Sequence, residues 1–176
     1  MGLLAANEVD PQWEFPTGAN GPLIKFNGTV EALYAYVSKE YPSYIASVFE
    51  PEAPTQGLET REDASGFLEK RTDFSSRPVS CQLLVSRSRI REGIDYLRRV
   101  RGQPSMEPNR WSRVSCSYDS AISWINTSSR RKTLESFGSI ADGAQRIYTQ
   151  CNRNDRTGGR VNHQTQWGVS AHGDRC

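Results

Sequence analysis

Arg113-Val-Ser-Cys-Ser-Tyr-Asp-Ser-Ala-Ile-Ser-Trp-Ile125 and, beyond a polar stretch, Ser139-Ile-Ala-Asp-Gly-Ala-Gln-Arg-Ile-Tyr-Thr-Gln-Cys151 are the parts of this chain whose reading decides the fold. Val114, Cys116 and Tyr118 alternate with Ser115 and Ser117, the period of a half-buried strand. Ala121 to Ile125 extends that strand, with Asp119-Ser120 expected as a bulge or bend between the two pieces. Ser139 stands where an N-cap is wanted, and Asp142 adds negative charge to the first turn. Ile140, Ala144, Ile147 and Cys151 then recur at helical spacing, widened by Ala141 and Tyr148, so one face of this helix is buried. Strand, loop and amphipathic helix with a cysteine near each end make an α/β unit that disulfides can close.

Upstream, Ile90, Ile94, Leu97 and Val100 form the stripe of a helix expected from Arg89 to about Arg101, capped by Ser88 and stopped by Gly102-Gln-Pro104. Downstream, Val161, His163, Thr165, Trp167, Val169 and Ala171 share one parity. They belong either to one bent strand or to a hairpin turning at Gln164 to Gln166. Near the N-terminus, Val30, Leu33, Tyr34, Val37 and Tyr41 trace a short helical face ended by Pro42, with a further turn from Tyr44 to Phe49. One such helix makes no core alone, so it docks elsewhere or fluctuates.

Charge divides the chain. Residues 1–71 hold 5 Lys/Arg against 11 Asp/Glu, a balance of −6; residues 72–176 hold 17 against 9, a balance of +8. Three regions follow: an acidic, partly helical segment over 1–50, a disordered acidic linker over 51–76, and a basic cysteine-containing domain over 77–176. Lys70-Arg71 in the linker is a dibasic pair where the charge changes sign, which reads as a processing site. An acidic front joined to an arginine-rich back suggests a charge mask or an anionic partner. Arg87, Arg91, Arg98, Arg99 and Arg101, with Arg130, Arg131 and Lys132, are the candidate surface for it. Nucleic acid is a weaker alternative, needing exposed rings such as Trp111 or Trp124 for base stacking.

All four cysteines, Cys81, Cys116, Cys151 and Cys176, lie in the basic part. An even number there fits two disulfides in an oxidising compartment, and no C-x-x-C spacing suggests a metal. Four cysteines allow three pairings, which spacing leaves open. Met1-Gly-Leu-Leu-Ala-Ala does not read as a signal peptide, because it lacks a basic region and runs into Asn7, Glu8 and Asp10. Either this start is not the natural one, or export is unconventional, or there is no export; the cysteines favour an extracellular protein, with a cytoplasmic binding module whose four thiols stay free as the alternative. No apolar run reaches the roughly 18 residues of a membrane span. Asn27-Gly-Thr29 and Asn126-Thr-Ser128 are glycosylation acceptors should the chain enter the secretory route.

No nucleophile elbow, phosphate loop or metalloprotease motif occurs, so neither a catalytic residue nor a cofactor is assigned. The two histidines, His163 and His172, have opposite parity and make poor partners for a shared acid–base site. A small hydrolase such as a ribonuclease, using Glu135, His163 and Arg160, ranks last among the functions.

Several blocks occur together and in order: Gly93-Ile-Asp-Tyr-Leu-Arg98, Gly102-Gln-Pro104, Arg113-Val-Ser-Cys-Ser-Tyr118, Ser120-Ala-Ile-Ser-Trp124, Ile140-Ala-Asp-Gly-Ala-Gln145 and the closing Gly173-Asp-Arg-Cys176. Over residues 81–176 the chain resembles small secreted fungal cysteine-containing proteins of the killer-toxin-like or effector-like kind. The resemblance implies an α+β fold, a small antiparallel sheet packed against two helices, preceded by a partly helical pro-segment cut away after Lys-Arg. It implies a protein that acts by binding a host or competitor-cell component. The family pattern carries further cysteines near Trp111 and near Ile125, both absent here. With that pair removed, the resemblance implies the pairings Cys116–Cys176 and Cys81–Cys151.

Overall fold

The computed structural model of the chain describes residues 7–16, 23–51 and 72–176. Its centre is a six-stranded sheet in the order β1 (Asn7–Glu8), β6 (Arg110–Ser117), β7 (Ser120–Asn126), β10 (Trp167–Gly173), β9 (Arg156–His163) and β4 (Val79–Ser86). Every pairing is antiparallel except β1 with β6. Helices α3 (Arg87–Arg99) and α4 (Gly138–Gln150) pack against each other and against the face that carries Ile122, Trp124, Val161 and Val169. Mixed α and β content is thus the observed class.

Two glycines set how closely the helices approach. A Cβ on Gly93 of α3 would come within 2.3 Å of Ser115 Oγ, and one on Gly143 of α4 within 2.6 Å of Val169 Cγ2. Backbone resting directly on the sheet needs that missing atom.

The opening stretch folds differently from its strict alternation. It is two strands, β6 and β7, reversing at Tyr118 and Asp119, and the bulge lies upstream, between Arg113 and Ser115. The bulge shifts phase, so Val114 enters the core while Cys116 stands opposite Ala121, in the row that continues to His172. Of the two readings of the last stretch, the hairpin is the one adopted: β9 and β10 turn through Gln164–Gln166, with Gln166 at φ 63°. Neither serine caps its helix. α4 begins at Gly138 after Phe137, and α3 at Arg87 after Ser86, without a side-chain cap. Asp142 is spent on tertiary contacts: it accepts from Thr72 N and Arg98 Nη1, each at 2.8 Å.

The N-terminal residues belong to the same core. Strands β2 (Gln12–Pro16) and β3 (Leu23–Asn27) form a hairpin whose Trp13 stacks on Phe137 at 4.4 Å and donates to Gly28 O at 2.8 Å. Helix α1 (Val30–Glu40) buries Val30, Leu33 and Val37 completely. After a 3-10 turn (Pro42–Tyr44), α2 (Ile45–Val48) leads into Phe49, which bridges to Val100. Docking, not fluctuation, resolves the short helix. The described end of the expected linker, residues 72–76, is likewise part of the fold: Phe74 is buried, its ring edge-on to His163 and Trp167. Short strands β5 (Ser105–Met106) and β8 (Lys132–Thr133) form a separate antiparallel pair.

Candidate functional site

Both disulfides tie a margin of the molecule to its interior. Cys81 on edge strand β4 joins Cys151 at the end of α4, and Cys116 on β6 joins the chain end at Cys176, with Cα separations of 5.4 and 5.5 Å. These are the pairings that the resemblance implies, and no cysteine is free. Two disulfides belong to an oxidising environment. Among the described residues no helix is long and apolar enough to cross a membrane. Lys70 and Arg71 lie outside the described residues.

The arginines of α3 divide by partner. Arg98 bonds the nearly buried Asp142, and Arg87 donates to Tyr148 O at 2.9 Å while its guanidinium lies 3.7 Å over the Tyr148 ring. These two hold α3 to α4 and are structural. Arg99 stacks on Tyr96 and Tyr34. Arg91 with Asp95 at 3.8 Å, Arg101 with Glu50 at 3.7 Å and Arg131 with Glu107 at 3.1 Å are exposed pairs. Such pairs contribute about 0–1 kcal/mol, so an external anion can displace them. Periodicity along one helix cannot show partners on another, which is why all eight cations looked equally free. Trp124 is core, and Trp111 meets His172 edge-on at 6.3 Å.

Lys132 reaches a different feature. With Asp73, Glu135, Ser139, His163 and Trp167 it lines a cleft of about 360 Å³ between β8, the start of α4 and the β9–β10 turn. His163 is held there by Thr165, whose Oγ1 lies 2.8 Å from Nδ1 and whose backbone N–H donates to the same atom at 3.3 Å. Burial, and then the charges of Lys132 and Arg77, lower the His163 pKa below its usual 6.5, against the pull of Asp73. An imidazole, an ammonium, a hydroxyl and two carboxylates therefore line one space. Glu135 and His163 do come together, whereas Arg160 lies on the far face of the sheet in the row of Ser123 and Ser170, bonded to Asn162. His172 is on that far face too, 2.9 Å from Ser123 Oγ, so the two histidines are separated as their parity requires.

Asn126, the second expected glycan acceptor, is enclosed by the fold. It is fully buried, its Nδ2 donates to the carbonyls of Met106, Glu107 and Arg130, and its Oδ1 accepts from Ser128 N and Oγ. The Asn-Thr-Ser triplet organises the loop after β7. Asn27, at the end of β3, is exposed.

Sequence reasoning missed one joint entirely. Glu31, in the first turn of α1, extends its carboxylate to β6, where Ser115 Oγ donates at 2.5 Å and Cys116 N at 3.1 Å. Burial raises its pKa above the usual 4.5, opposed by those hydrogen bonds. No signal along the chain links residue 31 to residue 115. Among protein-family models, curated proteins and solved structures, nothing matches this chain.

Proposed function

We propose that this chain is a secreted protein of the fungal killer-toxin-like or effector-like kind that acts by binding, made as a precursor whose acidic N-terminal segment covers the basic domain. One observation carries the reading: the cross-links Cys81–Cys151 and Cys116–Cys176 fasten edge strand β4 to α4 and β6 to the segment after β10 in a polar domain. That is how small exported domains withstand an environment without chaperones. The two-layer arrangement of antiparallel sheet and paired helices supports the same kinship. The target is an anionic surface met by Arg130, Arg131 and Lys132, with Arg91 and Arg101 able to exchange their exposed partners for it.

A cut after Arg71 leaves no covalent tie to residues 7–51, since all four cysteines lie beyond it. Val30, Leu33 and Val37 are nonetheless fully buried, and each contributes about 1.5–3 kcal/mol. The severed segment therefore stays seated until a partner or dilution draws it off. N-terminal sequencing of protein from the culture medium of a eukaryotic host tests this reading: a chain beginning at Thr72, co-eluting with the acidic fragment, is expected. Only uncut protein, retained inside the cell, would count against it.

A second reading, a small hydrolase, is favoured by Glu135 and His163 lining one cleft with Lys132. His163→Ala separates the two. Phosphodiester turnover that this variant abolishes would favour the hydrolase, and absence of turnover in the parent leaves the binding reading standing.

A further inference from the structure

Two reverse turns meet at one end of the molecule, and only one of them has residues suited to its backbone. Asn154 and Asp155 have φ of 44° and 62°, closed by the bridge between Arg153 and Arg156. Tyr118 and Asp119 have φ of 47° and 58°, with Ser117 directly opposite Ser120. Positive φ at both central residues is the type I′ turn, which Asn, Asp and Gly serve well. A bulky aromatic there is an outlier that costs stability and persists where the surroundings or a function demand it.

The surroundings gain little from this ring. Tyr118 is 75% exposed, the most exposed large hydrophobic side chain among the described residues. One face of it is covered. The Arg89 guanidinium lies 3.8 Å from the ring centroid, and Arg89 is itself fixed by two 3.0 Å bonds to the Glu92 carboxylate. Beside the ring a cleft of about 460 Å³ opens between the two turns, lined by Ser86, Asp119, Asn154, Asp155 and Arg156 among others. The side chains of Asp119, Asn154 and Asp155 make no hydrogen bond or ion pair among the described residues.

We propose that Tyr118 and this cleft bind a neutral glycan. A pyranose has an apolar C–H face and a rim of hydroxyls, each both donor and acceptor. The uncovered side of the Tyr118 ring matches the first. Asp119 and Asp155 accept and Asn154 both donates and accepts, which matches the second. A cationic ligand is the competing occupant, since Asp119 and Asp155 line the cleft, but the ring face it would use already bears the Arg89 guanidinium. This site is separate from the Arg130–Lys132 surface and does not depend on processing.

The test uses the full chain with chitohexaose, a β-1,3-glucan hexaose and mannohexaose, titrated calorimetrically, and hexalysine as the cationic comparison. Tyr118→Gly removes the ring while relieving the positive φ, so its melting temperature should equal or exceed that of the parent. At least one hexaose should bind the parent, roughly tenfold or more weaker to Tyr118→Gly, and within about twofold of the parent to Tyr118→Phe. Binding of hexalysine alone, no binding at all, unchanged binding by Tyr118→Gly, or a lowered melting temperature in that variant would each overturn the proposal.

Discussion

Replacing Glu31 by Gln should change how stability depends on pH, and the direction follows from where the carboxylate sits. Glu31 is the polar joint between α1 and β6, accepting from Ser115 Oγ and Cys116 N in a half-buried site beneath α1. Burial raises its pKa in the folded chain above the usual 4.5. The folded state therefore holds this proton more tightly than the unfolded one. The Glu31 contribution is fully present below about pH 4.5 and is lost as pH rises through the higher folded value. Gln keeps the acceptor oxygen and does not ionise. The stability of the parent minus that of Glu31→Gln should accordingly fall between pH 4 and pH 8. Glu31→Ala strands the Ser115 hydroxyl and the Cys116 N–H at every pH, at a cost of about 1–3 kcal/mol. Urea unfolding followed by tryptophan fluorescence suits the assay, since Trp13, Trp124 and Trp167 are all buried. A difference between parent and Glu31→Gln that stays level or widens with pH would refute the account of this joint.

Removing one cross-link with Cys81→Ala and Cys151→Ala frees a loop whose ends are 70 residues apart, for which chain entropy gives about 4 kcal/mol. Thermal unfolding of that double variant should start well below the parent, and an unchanged midpoint would contradict a stabilising role. Gly93→Ala drives a methyl into Ser115 Oγ, the donor to Glu31, and should cost about 1–3 kcal/mol in denaturant titration. In a glycosylating host, peptide mapping should find sugar at Asn27 and none at Asn126. Asn126→Ala, which deletes the bonds that fasten the loop after β7, should lose at least about 2 kcal/mol.

What could be read along the chain was whatever one element declares by itself. The stripes Ile90–Ile94–Leu97 and Ile140–Ala144–Ile147 mark α3 and α4, because burial of a helix face repeats every three to four residues. The β9–β10 hairpin was visible as one of two options, decided in space by Trp167 pairing with His163. The β6–β7 reversal was hidden because Tyr118-Asp119 is not a dipeptide that such turns prefer. Phe74 was hidden among polar neighbours, and the burial of Asn126 behind a common triplet. The arginines misled for the opposite reason. Their charge is plain in sequence, but the carbonyl of Tyr148 and the carboxylate of Asp142 that absorb Arg87 and Arg98 lie 61 and 44 residues away. The N-terminal segment shows the same limit. Its acidity is plain along the chain, but Trp13 on Phe137 and Glu31 on Ser115, which seat it, are contacts between residues distant in sequence.

Peptide mapping of natively produced protein under non-reducing conditions bears most directly on the reading as an exported domain. Digestion should release two linked pairs of peptides, one carrying Cys81 with Cys151 and the other Cys116 with Cys176. Four alkylatable thiols in the untreated protein would contradict the account.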